Sequence, residues 1–321
     1  MLTRNATPRA GRTGFTLVEL LIAMVLMGIV GGAIVTLLLR QQRFYNSTNE
    51  LIQTRQQIRQ AAAMLPSDLR GISSVGGDIY VMTDSSLEFR SVFGSSLACV
   101  VDPAGKYVST APQGLVRQSA MTNWAVLPSV GDSLALYDSG LSSAASDDSW
   151  QLFQITAVTP RTGGASDGCP VASGLVTAAV ADLAVSNPSY KLTLSPVASK
   201  NIDAGAGIRF FRRVHYSLYK AADNLWYLGY YDCKTGRVPV CNAIQQIGGP
   251  FQPYATNGTS GLQFTYYDST GAVTATKTLV ARVSLAVRGQ GTSLVNFSGN
   301  SGGSTTLRDS LRMEIRLRNA K

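Results

Sequence analysis

Residues 15–39 form one apolar run, FTLVELLIAMVLMGIVGGAIVTLLL, interrupted by a single acid, Glu19. A helix of about 20 such residues crosses a hydrocarbon layer of about 30 Å, so this run is long enough to span a membrane. The 14 residues before it carry Arg4, Arg9 and Arg12 and no acid, and Arg40 closes it. The three leading arginines put the N-terminus on the cytoplasmic side by the positive-inside rule. An ordinary secretory signal has a shorter apolar run, about 7–15 residues, followed by a small-residue cleavage site. Neither property is met here. A plain signal anchor accounts for everything except Glu19. A carboxylate at the centre of a membrane helix costs about 2.5–3.5 kcal/mol, and less near an end, so it calls for a partner.

Residues 40–65 continue the helical pattern without a break. Phe44, Leu51, Ile58 and Leu65 recur every seven residues, and Tyr45, Ile52 and Ala62 widen the stripe. That is an amphipathic helix whose apolar side needs cover. Pairing charges for a coiled coil are sparse, so the stripe is expected to lie on a sheet. Pro66 marks an expected boundary or kink. Together the two halves make a helix of about 50 residues, or about 75 Å at 1.5 Å per residue. Gly28 and Gly32 form a G-x-x-x-G pair, a spacing that lets helices approach closely.

After Gly71 the character changes to short apolar runs among Gly, Ser, Thr, Asp and aromatics. Strands are expected at 79–83, 87–93, 97–101, 133–137, 150–158, 191–194, 208–219, 225–231, 262–267, 278–287 and 309–317. Residues 208–219 and 225–231 read as a hairpin turning at 221–224. Leu311, Met313, Ile315 and Leu317 alternate with Arg312, Glu314, Arg316 and Arg318, a half-buried strand with one charged face. Glycine- and serine-rich stretches at 139–147, 162–168 and 298–305 are expected loops. With no helices alternating with these strands, the fold class is α+β: one long N-terminal helix packed on a mostly antiparallel β-sheet head.

Little in the head suggests chemistry. His215 is the only histidine, so multi-histidine metal sites are excluded and histidine catalysis has one candidate. No phosphate-binding glycine loop is present. No catalytic residue, metal or cofactor is expected. Cys99, Cys169, Cys233 and Cys241 all follow the membrane run, an even count that suits two disulfides in an exported head. The short loop between Cys233 and Cys241 favours that pair, which would leave Cys99 with Cys169; three connectivities remain open.

The motif Gly14-Phe15-Thr16-Leu17-Val18-Glu19, with its basic leader and apolar helix, resembles the prepilin-type signal of type IV pilins and type II secretion pseudopilins. The resemblance implies cleavage by a prepilin peptidase between Gly14 and Phe15 and N-methylation of Phe15. It implies that the freed amine of one subunit pairs with Glu19 of another and so sets assembly register. Domain organisation would be a leader (1–14), a transmembrane helix (15–39), an amphipathic helix (40–70) and a β-rich head (71–321). The chain would reside in the bacterial inner membrane with its head in the periplasm, then pass to the pilus. Its partners would be other major and minor pilins and the inner-membrane assembly platform. Losing the three leader arginines takes the formal charge from +9 to about +6.

A looser similarity links 262–271, 280–287 and 311–319 to PilW-type minor pilins, and the helix with 224–231 to the GspJ-type pseudopilin. A structural subunit is the expected function, a minor pilin that primes or caps a pilus. The alternatives are a secretion pseudopilin and a tip adhesin or DNA-uptake subunit. A basic surface can attract nucleic acid, though a solvated strand face explains the same charges.

Overall fold

Helix α1 (Leu17–Arg70) runs unbroken through Pro66 in the computed structural model, which describes residues 14, 16–113, 121–140, 147–198, 201–233, 241, 244–295 and 305–317. The boundary expected at Pro66 is therefore corrected. Proline removes one backbone donor, and here the last turn continues to Arg70 and is fixed by burial of Leu65 and Leu69. The leader up to residue 13, and Phe15, lie outside the described residues, as do Arg318 and most of the stretches at 139–147 and 298–305.

The chain divides into two compact units. One is Met1–Gln53 with Thr292–Leu307. In it the helix residues from Leu17 to Leu39 are exposed along nearly their whole length, and the expected stripe residues Phe44 and Tyr45 are exposed too. Within the same unit the Glu50 carboxylate accepts hydrogen bonds from the Thr292 backbone N–H at 3.1 Å and hydroxyl at 2.9 Å.

The other unit is Thr54–Gly291 with Arg308–Lys321. Its strands, some reaching into the first unit, are β1 (Ile79–Met82), β2 (Ser86–Asp102), β3 (Tyr107–Thr110), β4 (Asn123–Trp124), β5 (Ser133–Asp138), β6 (Ser149–Arg161), β7 (Ser189–Ser195), β8 (Gly207–Lys220), β9 (Trp226–Asp232), β10 (Gln245–Phe251), β11 (Leu262–Tyr267), β12 (Arg282–Val295) and β13 (Thr305–Arg316). Two cores are built from them.

The first core lies between the helix and a sheet. Ile58, Ala61, Leu65 and Leu69 pack with Leu87 and Phe89 of β2, Val214 and Tyr216 of β8, Leu228 of β9, and the inward residues of β11 to β13. The expected β8–β9 hairpin is present, turning through Asn224 at φ 66°. The expected alternation in β13 is present at its end, where Ile315 and Leu317 are buried. Leu311, at the other end of the pattern, is exposed.

The second core was not expected. Strand β2 pairs with β3, β3 with β7, β7 with β6, β6 with β5, β5 with β8, and β8 returns to β2. All six pairings are antiparallel, so the ring closes as a small barrel with no free edge. Its interior holds Ala98, Val108, Leu134, Leu136, Phe153, Ile155, Leu192, Leu194, Ile208 and Phe210. These alternate with outward residues along each strand, as a half-buried strand requires.

Two long strands, β2 and β8, serve both cores. In β8 the even-numbered residues face inward throughout: Ile208 and Phe210 to the barrel, Val214 and Tyr216 to the helix. In β2 the odd residues Leu87 and Phe89 face the helix, while Ala98 faces the barrel. A bulge between Val92 and Gly94 reconciles the two. One extra residue reverses the parity of a strand, so a single strand can change core without losing its partner.

Candidate functional site

The N-terminal turn of α1 is built by two residues. The Thr16 backbone N–H and its hydroxyl both donate to Glu19 Oε2 at 3.1 Å, and the Glu19 N–H donates to Thr16 Oγ1 at 3.3 Å. This is a capping box, in which each side chain satisfies a backbone donor that the helix leaves orphaned. It also sets a carboxylate at the positive end of the helix dipole. Glu19 is exposed, and Gly14 beside it is exposed with open space where a Cβ would sit. Thr16 was missed by sequence reasoning, although the T-x-x-E spacing at 16–19 was a readable signal.

The arrangement gives Glu19 a local partner before any other subunit is present. An acid at the head of an apolar helix would otherwise face lipid with its charge uncompensated. Down the same helix, Gly28, Gly31 and Gly32 have nothing within 4 Å of a built Cβ, so their surface is open to another helix. The Thr36 hydroxyl donates to the Gly32 carbonyl at 2.5 Å.

The head holds two disulfides, Cys99–Cys169 and Cys233–Cys241. Cys99 lies on β2 with its side chain off the barrel core, in a small cluster with Ala111 and Val176. Cys169 belongs to the long connection between β6 and β7, so the first bridge holds that connection on the barrel. The second bridge closes a short loop after β9.

His215 sits on β8 on the face away from the helix, and it is buried rather than solvated. Its Nδ1 lies 3.4 Å from Glu88 Oε2, and its ring meets Tyr231 edge-on at 5.3 Å. Burial pushes the imidazole pKa down, against the pull of Glu88. Glu88 also pairs with Arg213, whose guanidinium lies 4.1 Å over the Tyr80 ring. The group is a buried polar seam between β2 and β8. Among the described residues, no three His, Cys, Asp or Glu side chains converge as metal ligands.

Residues 9–35 match the family model for the prokaryotic N-terminal methylation motif. Searches of curated proteins and of solved structures gave no match. The motif implies processing by prepilin peptidase and assembly with other pilins, in a family whose members are structural. It coincides with α1, which has one stretch long and apolar enough to cross a membrane. Motif and helix together support membrane anchoring and a type IV pilin-like protein.

Proposed function

We propose that the chain is a minor subunit of a type IV pilus, of the PilW type, that primes or caps the filament and has no enzymatic activity. Prepilin peptidase cuts between Gly14 and Phe15, and Phe15 becomes the methylated N-terminus. Residues 15–39 anchor the mature chain in the inner membrane, residues 40–70 carry the helix into the head, and residues 71–321 form a periplasmic head. On extraction, Glu19 exchanges its bond to Thr16 for the free amine of a neighbouring subunit, and that exchange sets register. Two opposite charges that meet in lipid relieve each other's desolvation cost.

The observation that carries this reading is the pairing of the matched motif with a carboxylate already placed at the helix start. A minor role is favoured by the head, where a six-stranded barrel is added to the helix-packed sheet. Such bulk fits poorly into every repeat of a thin fibre. The test is Glu19→Ala in the native host, scoring leader cleavage and filament assembly separately. Normal cleavage with lost assembly is expected. Unchanged assembly would remove the role given to Glu19, and native filaments made mainly of this chain by mass would remove the minor role.

A further inference from the structure

The outer wall of the barrel carries a concavity of about 390 Å³, lined by Val92, Phe93, Ser95, Asn123, Ala125 and Arg209. Ser95 and Arg209 are register partners across β2 and β8. Arg209 lies between the inward-facing Ile208 and Phe210, so both partners stand on the outer face. The Arg209 guanidinium lies 4.4 Å over the Trp150 ring, and Trp150 meets Tyr137 with centroids 5.4 Å apart. Tyr137 is itself fixed, its hydroxyl donating to Asp148. Stacking holds the guanidinium flat while leaving its edge donors available. Arg209 is exposed and makes no hydrogen bond or ion pair with any described residue.

An oriented, unpaired fork of donors suits an oxyanion, with the polar side chains of Ser95 and Asn123 beside it. The surroundings select among the carriers of one. A base or a sugar would use an aromatic platform, and the ring here is already engaged by Arg209 and Tyr137. A phosphate chain would run past Asp138 and Asp148 of the same β5–β6 hairpin and be repelled. The rim is aliphatic instead: Val92, Val126 and Leu127 are each about 40–52% exposed. One cation, two neutral hydrogen-bonding side chains and an aliphatic rim complement a short peptide with one carboxylate between aliphatic side chains.

We propose that this concavity docks an acidic, aliphatic peptide segment of another protein, its carboxylate paired with Arg209. The site is independent of the processing motif, and it holds for a pilus or a secretion filament alike.

The test uses the full-length chain in detergent micelles and fluorescence anisotropy of a labelled probe, acetyl-Val-Leu-Glu-Val-Leu-amide. The Gln-for-Glu peptide and a labelled oligothymidine serve as comparisons. The Glu peptide is expected to bind about tenfold more tightly than the Gln peptide, the scale of one charge-assisted bond. Arg209→Gln should erase that difference, and Arg209→Lys, lacking the planar fork, should restore only part of it. Ala125→Trp, which fills the concavity without touching the charge, should weaken both peptides. Circular dichroism of each variant checks the fold. No saturable binding of either peptide by about 1 mM, the weak end of specific affinity, overturns the proposal. So do equal affinities for the two peptides, or indifference to Arg209→Gln. Oligothymidine binding that depends on Arg209 would reassign the site to nucleic acid and also overturn it.

Discussion

The phenol of Tyr216 donates a hydrogen bond to the Asp68 carboxylate at 2.7 Å, joining β8 to the last turn of α1. Both groups are removed from water, and Tyr216 is almost fully buried. Burial pushes the Asp68 pKa up, opposed by the bonds it accepts from Tyr216 and Ser91. A carboxyl with a raised folded pKa favours the folded state most below its unfolded value, about 3.8, and that contribution is lost as pH rises through the folded value. Tyr216→Phe removes a donor from the ionised form and raises the Asp68 pKa further. The variant should lose about 1–2 kcal/mol at neutral pH and less in acid. Urea unfolding at pH 7 and near pH 4 checks this; a deficit that grows on acidification would refute it.

Asp132 and Arg212 make the tightest bolt between the barrel and the helix-packed sheet. Arg212 donates to both carboxylate oxygens at 2.7 and 2.6 Å, and Asp132 is fully buried. Removing one partner strands the other, which typically costs about 3–5 kcal/mol for a buried pair. Asp132→Ala should fall at the low end of that range, because the Arg212 side chain keeps 12% exposure. The double variant Asp132→Ala/Arg212→Met should recover most of the loss, which a double-mutant cycle in urea would measure.

The disulfides close loops of very different length, with sequence separations of 70 and 8. On chain-entropy grounds the Cys99–Cys169 bridge stabilises by about 4 kcal/mol and the Cys233–Cys241 bridge by about 2.5 kcal/mol. Cys99→Ser/Cys169→Ser should therefore lower the melting temperature more than Cys233→Ser/Cys241→Ser. The reverse order would show that the β6–β7 connection is held by its packing alone.

Two glycines should respond differently to alanine. At Gly94 a Cβ would fall 2.7 Å from Trp124 Cβ and 2.8 Å from the Asn123 carbonyl oxygen, so β4 would have to move. At Gly289 the nearest atoms are side-chain carbons of Thr54 and Ile58, at 2.8 and 2.9 Å. Side chains yield more cheaply than backbone. Gly94→Ala is expected to cost about 2–3 kcal/mol and Gly289→Ala about 1 kcal/mol. Thermal unfolding of the two variants would rank them.

The helix and its motif were legible because hydropathy and a six-residue signature are local properties. Most strands were legible for the same reason: alternation at 208–219 and 262–267 is visible without knowing any partner. What stayed hidden depends on distant residues. Residues 87–93 and 97–101 read as separate strands because the bulge at Val92/Gly94 breaks the alternation, whereas in the fold they are one strand. Strand β10 was hidden by its glycines and Pro250, and β3 by its brevity. The heptad stripe predicted cover for Phe44, yet burial begins near Thr54, where the sheet supplies a surface. Thr16 was overlooked because attention fell on Glu19 as a residue awaiting a partner in another chain.

The shared strands also say something about how such a head could arise. Along β2 and β8, eleven residue pairs stand in antiparallel register. Excise everything between Asp102 and Gly207, and those two strands remain opposite one another, ready to be joined by a turn. The barrel is therefore a graft on the tip of an ordinary hairpin. A lineage could acquire or discard it in one genetic event, leaving the helix and the sheet that clasps it as they were.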